Sequence, residues 1–189
     1  MMKAVLKDLM TKKGPCADGE RMRTYIFDLD GVLVDPSERL RVTLRKLRLP
    51  LDTDVEKLRG SLRRRFWEIF LSPNMLQWDK PREIGIELFH DRRRKGRVII
   101  VTGRPITLRR HTLKELAVFG LEIRDNEDII FRPKGDIRPD YEYKAEVISN
   151  IDDVVEIHDD SIRVLETLRR IKPFATLYLH YDNGYVILE

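Results

Sequence analysis

Residues 25–35 read Tyr-Ile-Phe-Asp-Leu-Asp-Gly-Val-Leu-Val-Asp, and they join an apolar run to two closely spaced carboxylates. Residues 25–27 favour a β-strand that is covered on both faces. Asp28 and Asp30 follow at i and i+2, so their side chains point the same way on an extended chain. Carboxylates at the end of a buried strand need compensation, and a divalent cation with oxygen ligands provides it. An acidic turn after a strand is the simpler alternative.

The composition indicates one globular domain with a charged surface. The 189 residues are 42% hydrophobic and 36% charged, which is enough apolar material for a core. The net charge of +4 permits a phosphate-rich partner without requiring one. Cys16 is the only cysteine, and the longest aliphatic run, residues 98–101, is far too short to span a bilayer. The sequence therefore predicts a soluble cytoplasmic protein that has no membrane partner.

The chain divides into a short lead and one domain. Residues 1–22 are charged, and glycines and a proline interrupt their apolar stripe, so we expect a short helix or a frayed arm. Residues 23–189 are predicted to form a single domain, which begins with a strand over residues 23–28.

The first helix of the domain starts directly after the quoted stretch. Asp35 has the position of an N-cap, and Pro36 that of the first helical residue. Leu40, Leu44 and Leu47 then follow at helical spacing and predict the buried face of this helix.

A small helical insertion is predicted at about residues 50–80. Thr53 and Glu56 have the spacing of a capping box, and apolar residues then recur at steps of three and four up to position 69. This pattern predicts one amphipathic helix. A second helix is predicted over residues 81–95, because a proline opens it.

The insertion and its flank are strongly basic. Residues 39–70 hold ten Lys or Arg and four Asp or Glu, which gives +6 and leaves −2 for the remainder of a chain with net charge +4. Three consecutive arginines, residues 63–65, precede Phe66 and Trp67. Positive charge beside aromatic rings suits phosphates and bases of a nucleic acid. A solvated outer helix face explains the same charges equally simply.

From residue 97 the chain alternates strands and helices, which indicates a mainly parallel sheet with right-handed crossovers. The predicted elements are strand 97–102, helix 105–119, strand 128–132, helix 141–151, strand 154–158 and helix 161–171. Two final strands, 174–181 and 185–188, flank the hairpin signal Asn183-Gly184. Ligands of such folds bind beyond the carboxyl ends of the parallel strands, so the residues that follow each strand are the candidate site.

Two of these strand ends carry groups that suit a phosphate. Thr102, Gly103 and Arg104 offer a hydroxyl, accessible backbone N–H groups and a predicted helix start. An ordinary Thr-Gly turn is the alternative. Lys144 heads an apolar stripe on its helix, so its ammonium needs an anionic partner or a route to water. The first case would place a fixed positive charge beside a phosphoryl group, and the second is a snorkelling lysine.

The strand over residues 154–158 ends in two more carboxylates. Asp159 and Asp160 precede Ser161, which opens the next helix. Either Asp160 or Ser161 suits the N-cap position, which leaves Asp159 free to face a metal. His158 is predicted to be a packing residue at the strand end rather than a catalytic base.

These signals occur in a fixed order, one at each strand end. They are Asp28-Leu29-Asp30-Gly31, Thr102, Lys144 and Asp159-Asp160. Over roughly residues 23–172 this pattern resembles the four motifs of the haloacid dehalogenase (HAD) superfamily. The resemblance implies a three-layer, Rossmann-like α/β fold with a mainly parallel sheet and a small helical insertion as a minimal cap. It also implies an Mg²⁺-dependent phosphatase.

The resemblance further implies a role for each motif. Asp28 would be the nucleophile that forms an aspartyl-phosphate, and Asp30 would be the acid and base. Mg²⁺ would be held by the Asp28 carboxylate, the main-chain carbonyl of Asp30, Asp159 and waters. Asp160 would belong to the metal site by orienting Lys144 or a coordinated water. Thr102 and Lys144 would bind the phosphoryl oxygens, together with Gly103 and Arg104 as substrate-binding residues.

One segment narrows the predicted class of substrate. Residues 131–140, Phe-Arg-Pro-Lys-Gly-Asp-Ile-Arg-Pro-Asp, resemble a segment in the phosphatase half of phage polynucleotide kinase/phosphatase and in small HAD phosphatases of unassigned substrate. Arg132 and Arg138 would then grip a second phosphate or a sugar–phosphate backbone. A surface loop held by Arg–Asp pairs is the alternative.

The predicted substrate is a nucleic-acid 3′-phosphate or a nucleotide. A phosphatase for small metabolites and a non-catalytic nucleic-acid-binding module are the alternatives. A small cap often leaves closure of the site to a partner subunit, which would allow a dimer. No residue of the sequence indicates one, so the oligomeric state stays open.

Overall fold

The computed structural model describes residues 22–124, 127–182 and 184–189. Apart from Met22, the predicted lead over residues 1–22 lies outside the described residues, as does Asn183 of the predicted turn. The division of the chain into a lead and a domain stays a prediction. None of the helices among the described residues is long and apolar enough to span a membrane.

The described residues contain eight strands and six α-helices. The strands are β1 (Thr24–Phe27), β2 (Val34–Asp35), β3 (Lys80–Pro81), β4 (Arg97–Pro105), β5 (Ile129–Arg132), β6 (Val154–Asp159), β7 (Thr176–Tyr181) and β8 (Gly184–Leu188). The helices are α1 (Ser37–Lys46), α2 (Gly60–Phe70), α3 (Glu83–Lys95), α4 (Arg109–Val118), α5 (Asp140–Ser149) and α6 (Ile162–Ile171).

A six-stranded sheet with the order β5-β4-β1-β6-β7-β8 forms the centre of the fold. The first five strands of this order are mutually parallel, and β8 is antiparallel to β7. Strand β1 is central, so its carboxyl end is flanked by the carboxyl ends of β4 and β6. The predicted mainly parallel sheet and its terminal hairpin are confirmed.

The two faces of the sheet carry separate hydrophobic cores, since successive side chains of a strand point to opposite faces. On one face, Tyr25 and Phe27 of β1 share a core with Phe89 of α3 and Leu116 of α4. On the other face, Ile26 shares a core with side chains of α5 and α6. Helices therefore cover both sides of the sheet, and the predicted three-layer α/β architecture is confirmed.

The helical insertion has a small core of its own, in which Leu44 of α1 packs with Phe66 and Phe70 of α2. The predicted continuous helix from residue 55 to residue 69 is wrong. A 3₁₀ helix, Val55–Lys57, is followed by an extended break before α2 begins. The apolar spacing continues across the break because both pieces bury their apolar residues against the same small core.

The predicted capping box of the insertion is also wrong. Asp54, rather than Thr53, caps the 3₁₀ helix, and its Oδ1 accepts the N–H of Glu56 at 3.0 Å. The Thr53 hydroxyl instead donates to the carbonyl of Pro50 at 2.7 Å. The helix expected from residue 81 begins at Glu83, because Lys80 and Pro81 form strand β3, which pairs with β2.

The buried face of α1 differs from the predicted one. The leucine spacing predicts Leu40, Leu44 and Leu47, whereas the buried residues are Arg39, Thr43 and Leu44. The helix is therefore rotated so that a guanidinium points into the protein.

Two buried histidines form a hydrogen-bonded chain beneath the sheet end. The ring of His158 stacks on Phe27 at 4.1 Å and on Tyr178 at 4.2 Å between centroids, in agreement with its predicted packing role. Its Nδ1 lies 3.0 Å from Nε2 of His180, whose Nδ1 lies 3.2 Å from the Arg82 guanidinium. A guanidinium only donates, so Nδ1 of His180 accepts and its Nε2 carries the proton.

We expect both histidines to be neutral Nε2–H tautomers at pH 7, with His158 donating to Glu156. Burial lowers the pKa of His158, and burial lowers that of His180 to about 3. The unfolded chain takes up these protons near its ordinary pKa of about 6.5, so stability should fall as the pH drops from about 6.5 towards 3. Nitrogen-15 NMR between pH 7 and pH 5 checks this, with exposed His90 as the solvent-facing reference. Protonated rings of His158 and His180 at pH 6 would contradict this assignment of neutral tautomers.

Candidate active site

The candidate site lies where β1, β4 and β6 end, at one edge of the sheet. Phe27 pairs with Ile100 on one side and with His158 on the other, so the residues that follow these strands lie side by side. The backbone N–H of Asp28 donates to the carbonyl of His158 at 2.8 Å, which places Asp28 beside Asp159.

Lys144 of α5 contacts three carboxylates. Its Nζ lies 3.0 Å from Asp28 Oδ2, 2.9 Å from Asp140 Oδ2 and 2.7 Å from Asp159 Oδ2. The side chain is 2% exposed, so it does not reach water in the way a snorkelling lysine does. Burial by itself would lower the pKa of Lys144, but the three carboxylates outweigh it and raise that pKa. Lys144 is therefore a fixed ammonium.

Three carboxylates form a group that has the donor set of a cation site. Asp28, Asp159 and Asp160 each offer an oxygen, and the three oxygens lie within 4.8 Å of one another. Burial and repulsion from Asp160 raise the pKa of Asp159 to about 6, and burial raises the pKa of Asp28 well above its ordinary value, whereas Asp160 is exposed. Hard oxygen donors held at a cost in repulsion suit Mg²⁺, so the residues fit this ion.

Two glycines let the backbone approach these carboxylates. Gly31 has φ +82°, and a Cβ built on it would lie 2.2 Å from Asp160 Oδ2. A Cβ on Gly103 would lie 2.8 Å from Asp140 Oδ1. The turn at Gly31 and the end of β4 therefore lie directly against the acidic residues of the site.

The region after Thr102 differs from the prediction. The Thr102 hydroxyl accepts the N–H of Arg104 at 3.1 Å, and the helix expected directly after Gly103 is absent there. Strand β4 continues to Pro105, which pairs with β5, and a 3₁₀ turn over Ile106–Leu108 precedes α4. No helix N-terminus lies at this point among the described residues. The phosphate-binding roles of Thr102 and Gly103 stay predictions.

The Asp30 carboxylate lies between two guanidiniums. It accepts from Arg104 Nε at 3.0 Å and Nη2 at 2.7 Å, and also from Arg39 Nη2. Burial alone would raise the pKa of Asp30, but Arg104 and Arg39 outweigh it and hold that pKa well below its ordinary value. Asp30 is thus an ionised carboxylate at neutral pH.

The two arginines belong to a larger buried cluster. Asp79 lies 2.9 Å from Arg39 Nε and 2.9 Å from Arg104 Nη2, and Glu115 also accepts from Arg104. Burial and the hydrogen bond to Glu115 raise the pKa of Asp79 to about 9, against the opposing effect of Arg39. With Asp79 protonated, two guanidiniums face the carboxylates of Asp30 and Glu115, and the cluster is neutral. All N–H groups of the Arg104 side chain point at protein acceptors, so its substrate-binding role stays a prediction.

Arg132 and Arg138 are both engaged in pairs. Arg132 donates to Asp140 at 2.5 Å and to the carbonyl of Arg138 at 2.7 Å. Arg138 donates to Asp136 at 2.6 Å and also pairs with Glu146. This is the arrangement of a loop held by Arg–Asp pairs, and the substrate-binding assignment of both arginines stays a prediction.

Sequence reasoning gave no site role to three residues of the site region: Arg39, Asp79 and Asp140, the last of which it noted only as part of the segment 131–140. Asp140 precedes Lys144 by one helical turn, and this i,i+4 spacing of opposite charges was the available signal. Arg39 and Asp79 gave none, because nothing local distinguishes them from the surface charges that surround them in sequence.

No protein-family model matches the chain, and no curated protein does. A chain of the Pnkp1/Rnl/Hen1 complex matches with a TM-score of 0.58 at 17% identity, over 91% of this chain and 51% of that one. A haloacid dehalogenase-like hydrolase from Streptococcus pneumoniae has a TM-score of 0.57 at 17% identity, over 82% of this chain and 83% of that one. A hydrolase from Pseudomonas syringae has a TM-score of 0.52 at 18% identity, over 82% of each chain.

The chain spans about half the length of the Pnkp1/Rnl/Hen1 chain that it matches. At these identities the similarity is one of fold. The order of the strands, the helices on both faces and the superpositions agree with one another. This chain has the fold of the haloacid dehalogenase-like hydrolases.

Proposed function

We propose that this protein is an Mg²⁺-dependent phosphatase in which Asp28 is the nucleophile. The observation that carries the proposal is the position of Lys144, whose buried ammonium lies within 3.0 Å of carboxylates from β1's end, α5 and β6. Phosphoryl transfer needs a positioned nucleophile and positive charge that neutralises the phosphoryl oxygens, and Lys144 supplies such a charge beside Asp28. The haloacid dehalogenase-like fold supports the same chemistry.

Asp28, Asp159 and Asp160 would hold Mg²⁺, together with the main-chain carbonyl of Asp30. A bound Mg²⁺ supplies positive charge that offsets the carboxylates and the phosphoryl oxygens. Lys144 would add a second positive charge, and the Thr102 hydroxyl would donate to a phosphoryl oxygen.

The reaction proceeds in two displacements. The Asp28 carboxylate attacks phosphorus and the P–O bond to the leaving alcohol breaks, which gives an aspartyl-phosphate. Water then attacks phosphorus, the bond between Asp28 and phosphorus breaks, and inorganic phosphate leaves. The proton lost by the water balances the proton gained by the alcohol.

The ionised state of Asp30 favours the base half of its proposed role. As an ionised carboxylate it accepts the proton of the hydrolytic water. To protonate the leaving group it must first gain a proton, against the guanidiniums of Arg39 and Arg104. The rate should therefore depend strongly on the leaving group, with aryl phosphates hydrolysed faster than alkyl phosphates.

The proposed substrate is a nucleic-acid 3′-phosphate or a nucleotide. Arg63, Arg64 and Arg65 are exposed on α2, and no carboxylate among the described residues pairs with them. Trp67, which follows them, is 38% exposed. Unpaired guanidiniums beside an exposed indole suit a phosphate backbone and a stacked base. A structurally similar chain comes from an RNA repair complex, which agrees with this class of substrate.

The test compares substrates on the purified protein. We expect hydrolysis of p-nitrophenyl phosphate with Mg²⁺, lost in EDTA, and a higher kcat/KM for a 3′-phosphorylated oligonucleotide than for sugar phosphates. Replacing the three arginines by serine (R63S/R64S/R65S) should raise the KM for the oligonucleotide by about tenfold and leave p-nitrophenyl phosphate unaffected.

The matched control is R94S/R169S/R170S, which removes the same charge from exposed positions on α3 and α6. It should leave the oligonucleotide KM near that of the wild type. Faster turnover of sugar phosphates would favour a metabolite phosphatase, and oligonucleotide binding without any turnover would favour a binding module.

A further inference from the structure

Arg82, between β3 and α3, is a buried arginine whose guanidinium binds backbone carbonyls instead of a carboxylate. It is 7% exposed. It donates to the carbonyls of Gly31, Tyr181, Asp182 and Gly184, the last of these at 3.2 Å. Among the described residues, no carboxylate lies within ion-pair distance of it.

The planar shape of the guanidinium is what makes an arginine suitable at this position. Burial lowers the pKa of Arg82, and the carboxylates of Asp160, Asp35 and Asp182, none of them within ion-pair distance, oppose this only in part. The planar fork of five N–H groups can satisfy several carbonyls at once, which an ammonium cannot do. The guanidinium thereby joins two parts of the chain that are far apart in sequence, the Gly31 turn and the turn between β7 and β8.

The Gly31 turn lies directly against the proposed metal site. Its Cα packs on the carboxylate of Asp160, with no room for a Cβ. The preceding residue is Asp30, whose main-chain carbonyl would be a metal ligand. A shift of Gly31 would therefore move the adjoining Asp30 carbonyl and change the packing against Asp160.

We propose that Arg82 is a positioning residue that sets the metal affinity of the site by tying the Gly31 turn to the β7–β8 turn. The inference rests on the proposed metal site at Asp28, Asp159 and Asp160. It makes the C-terminal hairpin, which contributes no ligand, a part of the machinery that holds the ligands in place.

The variant Arg82→Lys tests the proposal, since it keeps the charge and removes the fork. Mn²⁺ serves as a spectroscopic probe for Mg²⁺, and its binding is measured by electron paramagnetic resonance in the absence of substrate. We expect the Kd for Mn²⁺ to rise about tenfold.

Arg93→Lys is the matched control. Arg93 on α3 is half-buried and donates to Asp128 at 2.8 Å, and it touches neither the Gly31 turn nor the histidine pair that contacts Arg82. It should lower the melting temperature without changing Mn²⁺ affinity. If Arg82→Lys lowers the melting temperature and binds Mn²⁺ like the wild type, Arg82 is merely structural and the proposal fails. If the wild-type protein does not bind Mn²⁺, the proposed metal site fails as well.

A second measurement needs no variant. Coupling between two sites is reciprocal, so a metal whose affinity depends on the hairpin must also stabilise the hairpin. Hydrogen exchange of wild-type residues 176–189 should slow by at least about tenfold at saturating Mg²⁺. The loop over residues 133–139 provides the reference. Unchanged exchange in the hairpin overturns the proposal.

Discussion

The Asp28→Asn variant is expected to lose phosphatase activity by about four orders of magnitude or more while keeping its fold. Asparagine has nearly the shape of aspartate, but its amide cannot attack phosphorus to form the acyl phosphate. Any residual rate would come from binding by Lys144 and the remaining carboxylates.

The same substitution should not lower stability in the absence of metal. Burial raises the pKa of Asp28 well above its ordinary value, so the fold disfavours the ionised carboxylate. This group costs stability as the pH rises above its unfolded pKa of about 3.9, and the neutral amide removes that cost. We therefore expect a melting temperature in EDTA equal to or above that of the wild type.

Activity on p-nitrophenyl phosphate and thermal unfolding in EDTA check both expectations. Asp52→Asn, at an exposed position of the insertion, is the control that removes a carboxylate without touching the site. Near-wild-type turnover by a pure sample of Asp28→Asn would refute the assignment of the nucleophile.

The Lys144→Met variant is expected to be destabilised by about 3–5 kcal/mol at neutral pH without metal. Methionine fills a similar volume but removes the ammonium that contacts Asp28, Asp140 and Asp159, so whichever of these groups is ionised loses its counter-charge. The loss should shrink as the pH falls, because Asp159 then takes up a proton, and it does so at a higher pH in the variant, since Lys144 lowers its pKa. Mg²⁺ should restore part of the stability, since it binds the folded state.

Urea unfolding at pH 7.5 and pH 5.5, in EDTA and in Mg²⁺, measures the effect. Lys114→Met, at an exposed position of α4, is the control and should change stability little. A loss below about 1 kcal/mol at pH 7.5 would place Lys144 among lightly coupled surface charges and contradict the buried ammonium.

The sequence alone determined the sheet and the rim at which the site lies. Alternation of apolar strands and helices is a local pattern, and parallel strands necessarily bring their carboxyl ends to one edge. Asp28 and Asp159 could therefore be assigned to one edge of the sheet from the sequence, and the family resemblance implied that Lys144 joins them. Lys144 was informative because an ammonium at the head of an apolar stripe requires a partner.

Only the tertiary structure decided which charges enter the interior. Arg39 and Arg82 look like surface arginines in the sequence, since nothing in a charge pattern tells which helix face turns inwards. Packing between distant elements brings Arg39 and Arg104 to the Asp30 carboxylate. It likewise brings Arg82 to the carbonyl of Gly31. Long-range electrostatics depends on distance in space, which local sequence patterns do not encode.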